Sequence, residues 1–330
     1  MRPGLSIALV VALSLPFVAA AQALGTVPVG VPFNVSVDPQ YPAPFGQAVL
    51  SALSDSIDLA GASMTITVAG KKIYEGNVKP VAVALGKAGS VTSAIVKISS
   101  GGASASQTIA IQPQDVVLVA EPVSSAPPLY PGKPLIPLEG SVRMVAVANL
   151  RGVSGKALDP ATYSYAWTVD NTSIAASSGI GKSALMVASP LQYRQRDVSV
   201  AVRSADGALV GGDSFSLVPQ EPSVRIYQND PLLGIRYDRA FADTYSISGS
   251  EDTLYATPFS FPITTGVPLL QWFLNGEPAQ TGNLITLRPS GSGEGTASLS
   301  LTASAGNSTI ATTDLSLLFG GPGSTNIFGL

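Results

Sequence analysis

The run Tyr163-Ser164-Tyr165-Ala166-Trp167-Thr168-Val169-Asp170-Asn171 alternates large apolar with small polar residues, and it recurs along the chain. Leu270-Gln271-Trp272-Phe273-Leu274-Asn275-Gly276 is one copy. Met64-Thr65-Ile66-Thr67-Val68-Ala69-Gly70 is a fainter one, with isoleucine in the tryptophan's place. Side chains alternate faces along a β-strand, so Tyr165, Trp167 and Val169 are expected to face one way and Ala166, Thr168 and Asp170 to face water. Each copy predicts the core strand of an antiparallel sandwich, with Ile66, Trp167 and Trp272 marking the cores.

A second repeat keeps the same register. Asp197-Val198-Ser199-Val200-Ala201-Val202-Arg203-Ser204-Ala205-Asp206-Gly207 matches the stretch from Thr296 to Gly306, and both match the stretch ending at Gly101. An Ig-like sandwich places such a strand beside the tryptophan strand and then turns back at a glycine. Two joints also repeat: Gln112-Pro113-Gln114-Asp115 and Val218-Pro219-Gln220-Glu221 each place Pro-Gln and an acid between strands. Proline fixes φ and removes a ladder donor, so each joint ends one strand just before the next begins. Neither joint has the Gly/Ser-rich composition of a random-coil linker, so a semi-rigid rod is expected. The expected fold class is all-β, three tandem Ig-like β-sandwich domains at 24–113, 114–219 and 220–320.

The ends read differently. Residues 1–23 carry Arg2, an apolar run from Leu5 to Val18 and the small residues Ala19-Ala20-Ala21-Gln22-Ala23, which predict a cleaved signal peptide. No cysteine follows for a lipid anchor and no later apolar run is long enough to span a bilayer, so the expected location is extracellular or envelope-associated, without a transmembrane anchor. Residues 321–330 form a Gly-rich tail ending in the apolar tip Ile327-Phe328-Gly329-Leu330.

Composition removes whole classes of chemistry. With no cysteine and no histidine, the chain has no disulfide framework, thiolate nucleophile, Cys/His zinc site or histidine base. Its 18 basic and 21 acidic residues include no basic run, so nucleic acid is not an expected partner. Charged residues make up only 12 %, about half the usual share, and a Ser/Thr/Ala-rich surface of net charge -3 does little to oppose self-association.

Two segments exceed ordinary loop length: 121–140, with six prolines around Tyr130, and 229–250, which contains Pro231-Leu232-Leu233-Gly234-Ile235-Arg236-Tyr237. Cover for an open sheet edge is their expected role. Together with the tryptophan strands, the Pro-Gln joints and Pro127-Pro128-Leu129-Tyr130-Pro131-Gly132-Lys133, they carry a resemblance. The chain resembles the uncharacterised exported proteins with tandem Ig-like, PKD-like domains found in bacteria with very small genomes. The resemblance implies PKD-like domains at a cell surface; it brings no activity and no catalytic residues, and Ile66 departs from its tryptophan pattern.

Other candidate chemistry reads as ordinary structure. Gly179-Ile180-Gly181-Lys182-Ser183 looks like the end of a phosphate loop, but Ala176 stands where the first glycine belongs and a strand-like run follows, so a turn is expected. The carboxylate pairs Asp55/Asp58 and Glu251/Asp252 lack an adjacent aromatic platform and are expected on solvated turns. Asn34, Asn171 and Asn307 lie in incidental glycosylation sequons. Phe273 falls on the outward face beside Trp272, with cover by 229–250 expected. The expected function is therefore non-enzymatic, without cofactor or metal: a structural, adhesive or assembly component that self-associates or binds an envelope protein. Phe273, Tyr130, Tyr237 and Phe328 are its candidate contacts, with Phe328 able to add a strand to a neighbour's sheet edge. A carbohydrate-binding module using exposed aromatics is the alternative, and a metal-assisted hydrolase ranks last.

Overall fold

The computed structural model describes residues 33–320 except 57, 129, 131, 248, 265, 291–293 and 307–308. The expected leader, the tail with Phe328 and the Asn307 sequon lie outside the described residues. The described chain is β-strand and turn, with two short 3-10 helices at Pro160–Thr162 and Ala175–Ser177. It divides into two compact units: residues through Asp115 together with Arg151–Ala157, and Val116–Leu150 together with Leu158 onward.

The first unit contains β1 (Asn34–Asp38), β2 (Gln47–Leu53), β3 (Ser63–Val68), β4 (Lys71–Asn77), β5 (Val81–Ala84), β6 (Thr92–Ser100) and β7 (Ala103–Ile111). They form two sheets, β1-β2-β5 and β4-β3-β6-β7. Val35, Leu50 and Val83 from one sheet share a core with Met64, Ile66, Val96 and Ile109 from the other. The apolar run of β2, ambiguous in sequence, turns Ala48 and Leu50 inward. Segment Arg151–Ala157 belongs to this unit because the Gln114 carboxamide donates to Arg151 O at 3.1 Å and accepts from Arg151 N at 2.7 Å.

The second unit holds two sandwiches, each with its own core. One uses β8 (Asp115–Pro122), β9 (Ser141–Asn149), β10 (Ser164–Val169), β11 (Thr172–Ser173), β12 (Gly179–Ile180), β13 (Ala184–Ala188), β14 (Arg196–Arg203) and β15 (Val210–Leu217). Its sheets run β13-β9-β8 and β11-β10-β14-β15, with β12 beside β10. The other uses β16 (Ser223–Asp230), β17 (Gly234–Phe241), β18 (Thr244–Ile247), β19 (Asp252–Phe259), β20 (Leu269–Leu274), β21 (Glu277–Thr281), β22 (Leu284–Leu287), β23 (Gly295–Ala305) and β24 (Thr309–Phe319). Its sheets run β17-β16-β19-β22 and β18-β24-β23-β20-β21.

The repeated sequence elements take equivalent places in all three sandwiches. Strands β3, β10 and β20 pair antiparallel with β6, β14 and β23, so that Ile66 stands opposite Val96, Trp167 opposite Val200 and Trp272 opposite Leu301. Ile66, Trp167 and Trp272 are each 0 % exposed. Each central strand ends in a two-residue hairpin turn with positive φ at both positions: Ala69-Gly70, Asp170-Asn171 and Asn275-Gly276. That is the turn whose twist matches the flanking strands, and Asn, Asp and Gly adopt it at least cost. In two of the three, the turn's side chain also ties it to the neighbouring strand: Asp170 Oδ1 accepts from Asp197 N at 3.0 Å and Asn275 Oδ1 from Ser298 N at 2.9 Å. Both indoles satisfy their buried N–H alike, Trp167 Nε1 donating to Lys182 O and Trp272 Nε1 to Gly282 O, each at 2.9 Å. The phosphate-loop look-alike at 179–183 is thus the two-residue strand β12 and the turn after it, whose Lys182 carbonyl receives the Trp167 indole N–H.

Segment 229–250 differs from its expectation as a long loop. It contains the whole of β17 and β18, and β18 runs parallel to β24, Tyr245 opposite Leu317 and Ile247 opposite Phe319. Alternating Tyr245 and Ile247 give it an inward face, and the edge of β24 is thereby covered over Ser316–Phe319.

Candidate functional site

The second unit brings together the two segments that the sequence singles out. Ser124 and Ser125 are buried, and their hydroxyls fix the path of 121–140. Ser124 Oγ donates to Leu135 O at 2.6 Å; Ser125 N donates to Phe261 O at 2.8 Å, while Phe261 N donates to Ser125 Oγ at 3.1 Å. Gln220 N donates to Ile136 O at 2.8 Å from the other side. Held this way, Tyr130 lies edge-on to Phe259, with ring centroids 5.3 Å apart, and to Tyr237 at 6.4 Å. Tyr237 packs in turn on Tyr227 at 5.2 Å, and the Arg225 guanidinium lies 5.3 Å from the Phe259 ring centre. Edge-to-face rings and a cation over a ring face are the attractive geometries of aromatic quadrupoles. A Cβ on Gly132 would sit 2.2 Å from Tyr130 Cε1, so glycine is what lets the ring fold back over its own loop.

Burial pushes the Tyr227 and Tyr237 phenols above their ordinary value; Arg225 pulls Tyr227 back, and the Tyr255 hydroxyl pushes Tyr237 further up. Neither is an acid or base near neutral pH. The cluster is an edge-to-face aromatic block at the root of the β16–β17 hairpin.

The hairpin's tip is tied by its own hydrogen bonds. Asp230 Oδ1 accepts from Leu232 N at 2.8 Å and from Leu233 N at 2.9 Å, and Gly234 completes the turn at φ +76°. Those two N–H groups, that of Leu233 foremost, hold the Asp230 carboxyl below its usual range. The turn presents Leu232 and Leu233 to solvent, 92 % and 71 % exposed.

The sequence-derived contacts are therefore placed differently from their expectation. Tyr130 and Tyr237, treated there as separate exposed aromatics, are partly buried against one another. Phe273 is partly buried on β20 between Ser300 and Pro278, and the 229–250 segment does not cover it: β18 lies at the other end of that sheet, beyond β23 and β24. Asp58 caps the Ala60 amide at 2.9 Å, Glu251 pairs with Arg288 Nε at 2.6 Å, and Asp252 faces the Tyr245 hydroxyl. Among the described residues no cluster of acidic side chains is arranged to hold a metal ion. Leu232, Leu233 and the 91 %-exposed Tyr193 are exposed side chains outside the sequence-derived set. The signal for the leucines was an Asp-Pro-Leu-Leu-Gly turn with its apolar residues at the tip, and for Tyr193 a Gln-Tyr-Arg-Gln-Arg run between two strands.

These features define a class: an all-β protein of tandem β-sandwiches with the Ig or fibronectin-III arrangement of strands. No family model matches the chain, and no curated protein matches it in sequence. Solved structures of similar construction include the three N-terminal domains of the bacteriophage RB49 highly immunogenic outer capsid protein. That structure is 11 % identical and covers 88 % of this chain and 99 % of its own, with a TM-score of 0.24. The central fibronectin-III array of RIM-binding protein is 9 % identical over 87 % of this chain and 96 % of its own, at a TM-score of 0.27. SGBP-B of the Bacteroides ovatus mixed-linkage glucan utilization locus, solved with a mixed-linkage heptasaccharide, is 13 % identical over 87 % and 70 %, at 0.21. Among the described residues no helix is long and apolar enough to cross a membrane.

Proposed function

We propose that the chain is a non-enzymatic structural, adhesive or assembly component, exported to the cell envelope and built of three Ig-like domains divided near residues 113 and 219. Its kinship with the exported PKD-like proteins of small-genome bacteria, suggested by the motifs around Tyr130 and Tyr237, is part of the same proposal. The observation that carries it is the β16–β17 hairpin tip, where Leu232 and Leu233 stand in water on a turn braced by Asp230 and rooted in an aromatic block. Folding gains nothing from two exposed leucines on a hydrogen-bonded turn, whereas a contact that buries them gains about 1.5–3 kcal/mol for each. Ordering the turn beforehand lowers the entropy cost of that contact. The low surface charge leaves little to repel a neighbouring copy.

Light scattering of the full chain over a concentration series tests the reading. Association is expected, and Leu232→Asp with Leu233→Asp is expected to weaken it by at least about 100-fold, the equivalent of about 3 kcal/mol. Association that persists in this double variant but disappears on deletion of residues 321–330 would transfer the contact to the tail. A monomer at every concentration would exclude self-association and leave a different envelope protein as the partner.

A further inference from the structure

Tyr193 is the most exposed aromatic side chain among the described residues, and it sits at φ +60°. It occupies the tight turn between β13 and β14, closed by Arg194 N donating to Leu191 O at 3.0 Å. Glycine or asparagine takes that left-handed conformation more cheaply than tyrosine, and a ring in water adds nothing to folding. A costly backbone that holds an aromatic outward is the kind of strain found at ligand clamps.

The ring stands at a cleft of about 770 Å³, formed where the turn faces the connection from β15 to β16. That volume is within the usual range of ligand sites, about 300–1,000 Å³. The cleft's polar groups are mainly carboxamides, from Gln192, Gln195 and Gln220, beside one cation, Arg194, and one anion, Glu221. Gln192 Nε2 donates to Glu221 Oε1 at 2.8 Å, which engages one carboxylate oxygen without neutralising it, and Arg194 is the one cation that balances Glu221 in this cleft. The remaining surface is apolar, from Leu138, Val218 and Pro219. A second cleft of about 280 Å³ shares Leu138, Gln192 and Glu221, adds the carboxylate of Glu139 at its side, and runs on toward Thr309 and Ile310, so the two adjoin as one elongated trough.

We infer that this trough binds a neutral oligosaccharide, with Tyr193 as the stacking platform. A carboxamide offers both an acceptor and two donors in one plane, and a hydroxyl is likewise donor and acceptor, so three glutamines suit a row of sugar hydroxyls. The C–H faces of a pyranose suit the tyrosine ring and the Val218-Pro219 floor. The elongated shape fits a chain of sugars better than a compact metabolite. The inference moves the carbohydrate reading away from Phe273, Tyr130 and Tyr237, and it is independent of the leucine tip.

Calorimetric titration of the full chain with cellohexaose, maltohexaose, xylohexaose and chitohexaose is the test. At least one is expected to bind, with Tyr193→Asn weakening it at least about tenfold and Tyr193→Phe preserving it. Asparagine tolerates positive φ, so the first variant removes the ring and keeps the turn. Gln220→Ala is expected to lower affinity without altering the thermal midpoint. Absence of binding to all four sugars, or binding that Tyr193→Asn leaves unchanged, would overturn the inference. Neither variant is expected to change association through the leucine tip, so failure of one proposal is distinguishable from failure of the other.

Discussion

Replacing Trp167 by phenylalanine tests both the packing of the second core and its connection to the third. The indole is fully buried, and its N–H donates to Lys182 O at 2.9 Å. Losing that bond costs about 1 kcal/mol. The smaller ring leaves a void on the order of 40 Å³, worth about 1 kcal/mol at the measured cavity coefficient, with a further contribution from the lost apolar burial. A destabilisation of about 2–3 kcal/mol follows, or a urea midpoint lower by roughly 1–2 M. The chain has two tryptophans, so in Trp167→Phe the fluorescence reports Trp272 alone, in the third core. The Ser125–Phe261 hydrogen bonds and the Tyr130–Phe259 contact bind these two sandwiches, so the Trp272 transition is expected to shift with the circular-dichroism transition of the second core. A Trp272 transition that stays in place while circular dichroism moves would refute the coupling. A total shift under about 0.5 kcal/mol would refute the core reasoning, being no more than an ordinary surface substitution produces.

Gly132→Ala is expected to displace the Tyr130 ring, at a cost of about 1–3 kcal/mol seen in thermal unfolding, because the new methyl would overlap Tyr130 Cε1. The Tyr227 and Tyr237 phenols are raised from 10.0, so the folded state holds their protons more tightly than the unfolded chain does. Their contribution to stability is complete below about pH 10 and is lost as pH rises through the raised values; denaturant midpoints at pH 8 and pH 11 should fall in that order. Thr108→Lys on β7 should leave association unaltered in light scattering, and its loss would place the contact at that sheet edge instead of the hairpin tip.

Much of the fold is legible because it rests on local rules that repeat. Period-two alternation gives the buried faces of β3, β10 and β20, and the Ala-Gly, Asp-Asn and Asn-Gly pairs give their turns. Pairing with β6, β14 and β23 follows from the second repeat. The interaction surfaces were not legible, for a different physical reason. Whether Tyr130 is an exposed contact or a packed ring depends on Ser125 meeting Phe261, 136 residues away, and no local pattern encodes that meeting. The parallel pairing of β18 with β24 is likewise a long-range event, hidden because Thr244-Tyr245-Ser246-Ile247 is too short to stand out. Tyr193 and Leu232 stand on short turn motifs legible in the sequence, but how far each side chain is exposed follows only from the folded arrangement.

The treatment of sheet edges bears on where contacts form. Open edges attract further strands, and proteins guard them with charge, proline, shortness or cover. Strand β4 carries Lys71, Lys72 and Glu75, β15 carries Asp213, and β21 carries Glu277 and Pro278. Strand β24 is covered by β18 over Ser316–Phe319 and carries Asp314 on the rest, and the uncharged edges β5, β13 and β22 are only four or five residues long. Strand β7 stands apart, with nine residues from Ala103 to Ile111 and neither charge nor proline. A chain that protects most of its edges yet leaves Leu232, Leu233 and Tyr193 exposed on braced turns has separated two kinds of apolar exposure. Edge pairing is sequence-tolerant, because backbone groups supply the bonds, and it has no natural stopping point. Contacts made by side chains on a fixed turn depend on complementary shape, and they saturate when that one surface is filled. For a protein with so little charge to keep copies apart, the association proposed through turns would be limited to a defined geometry.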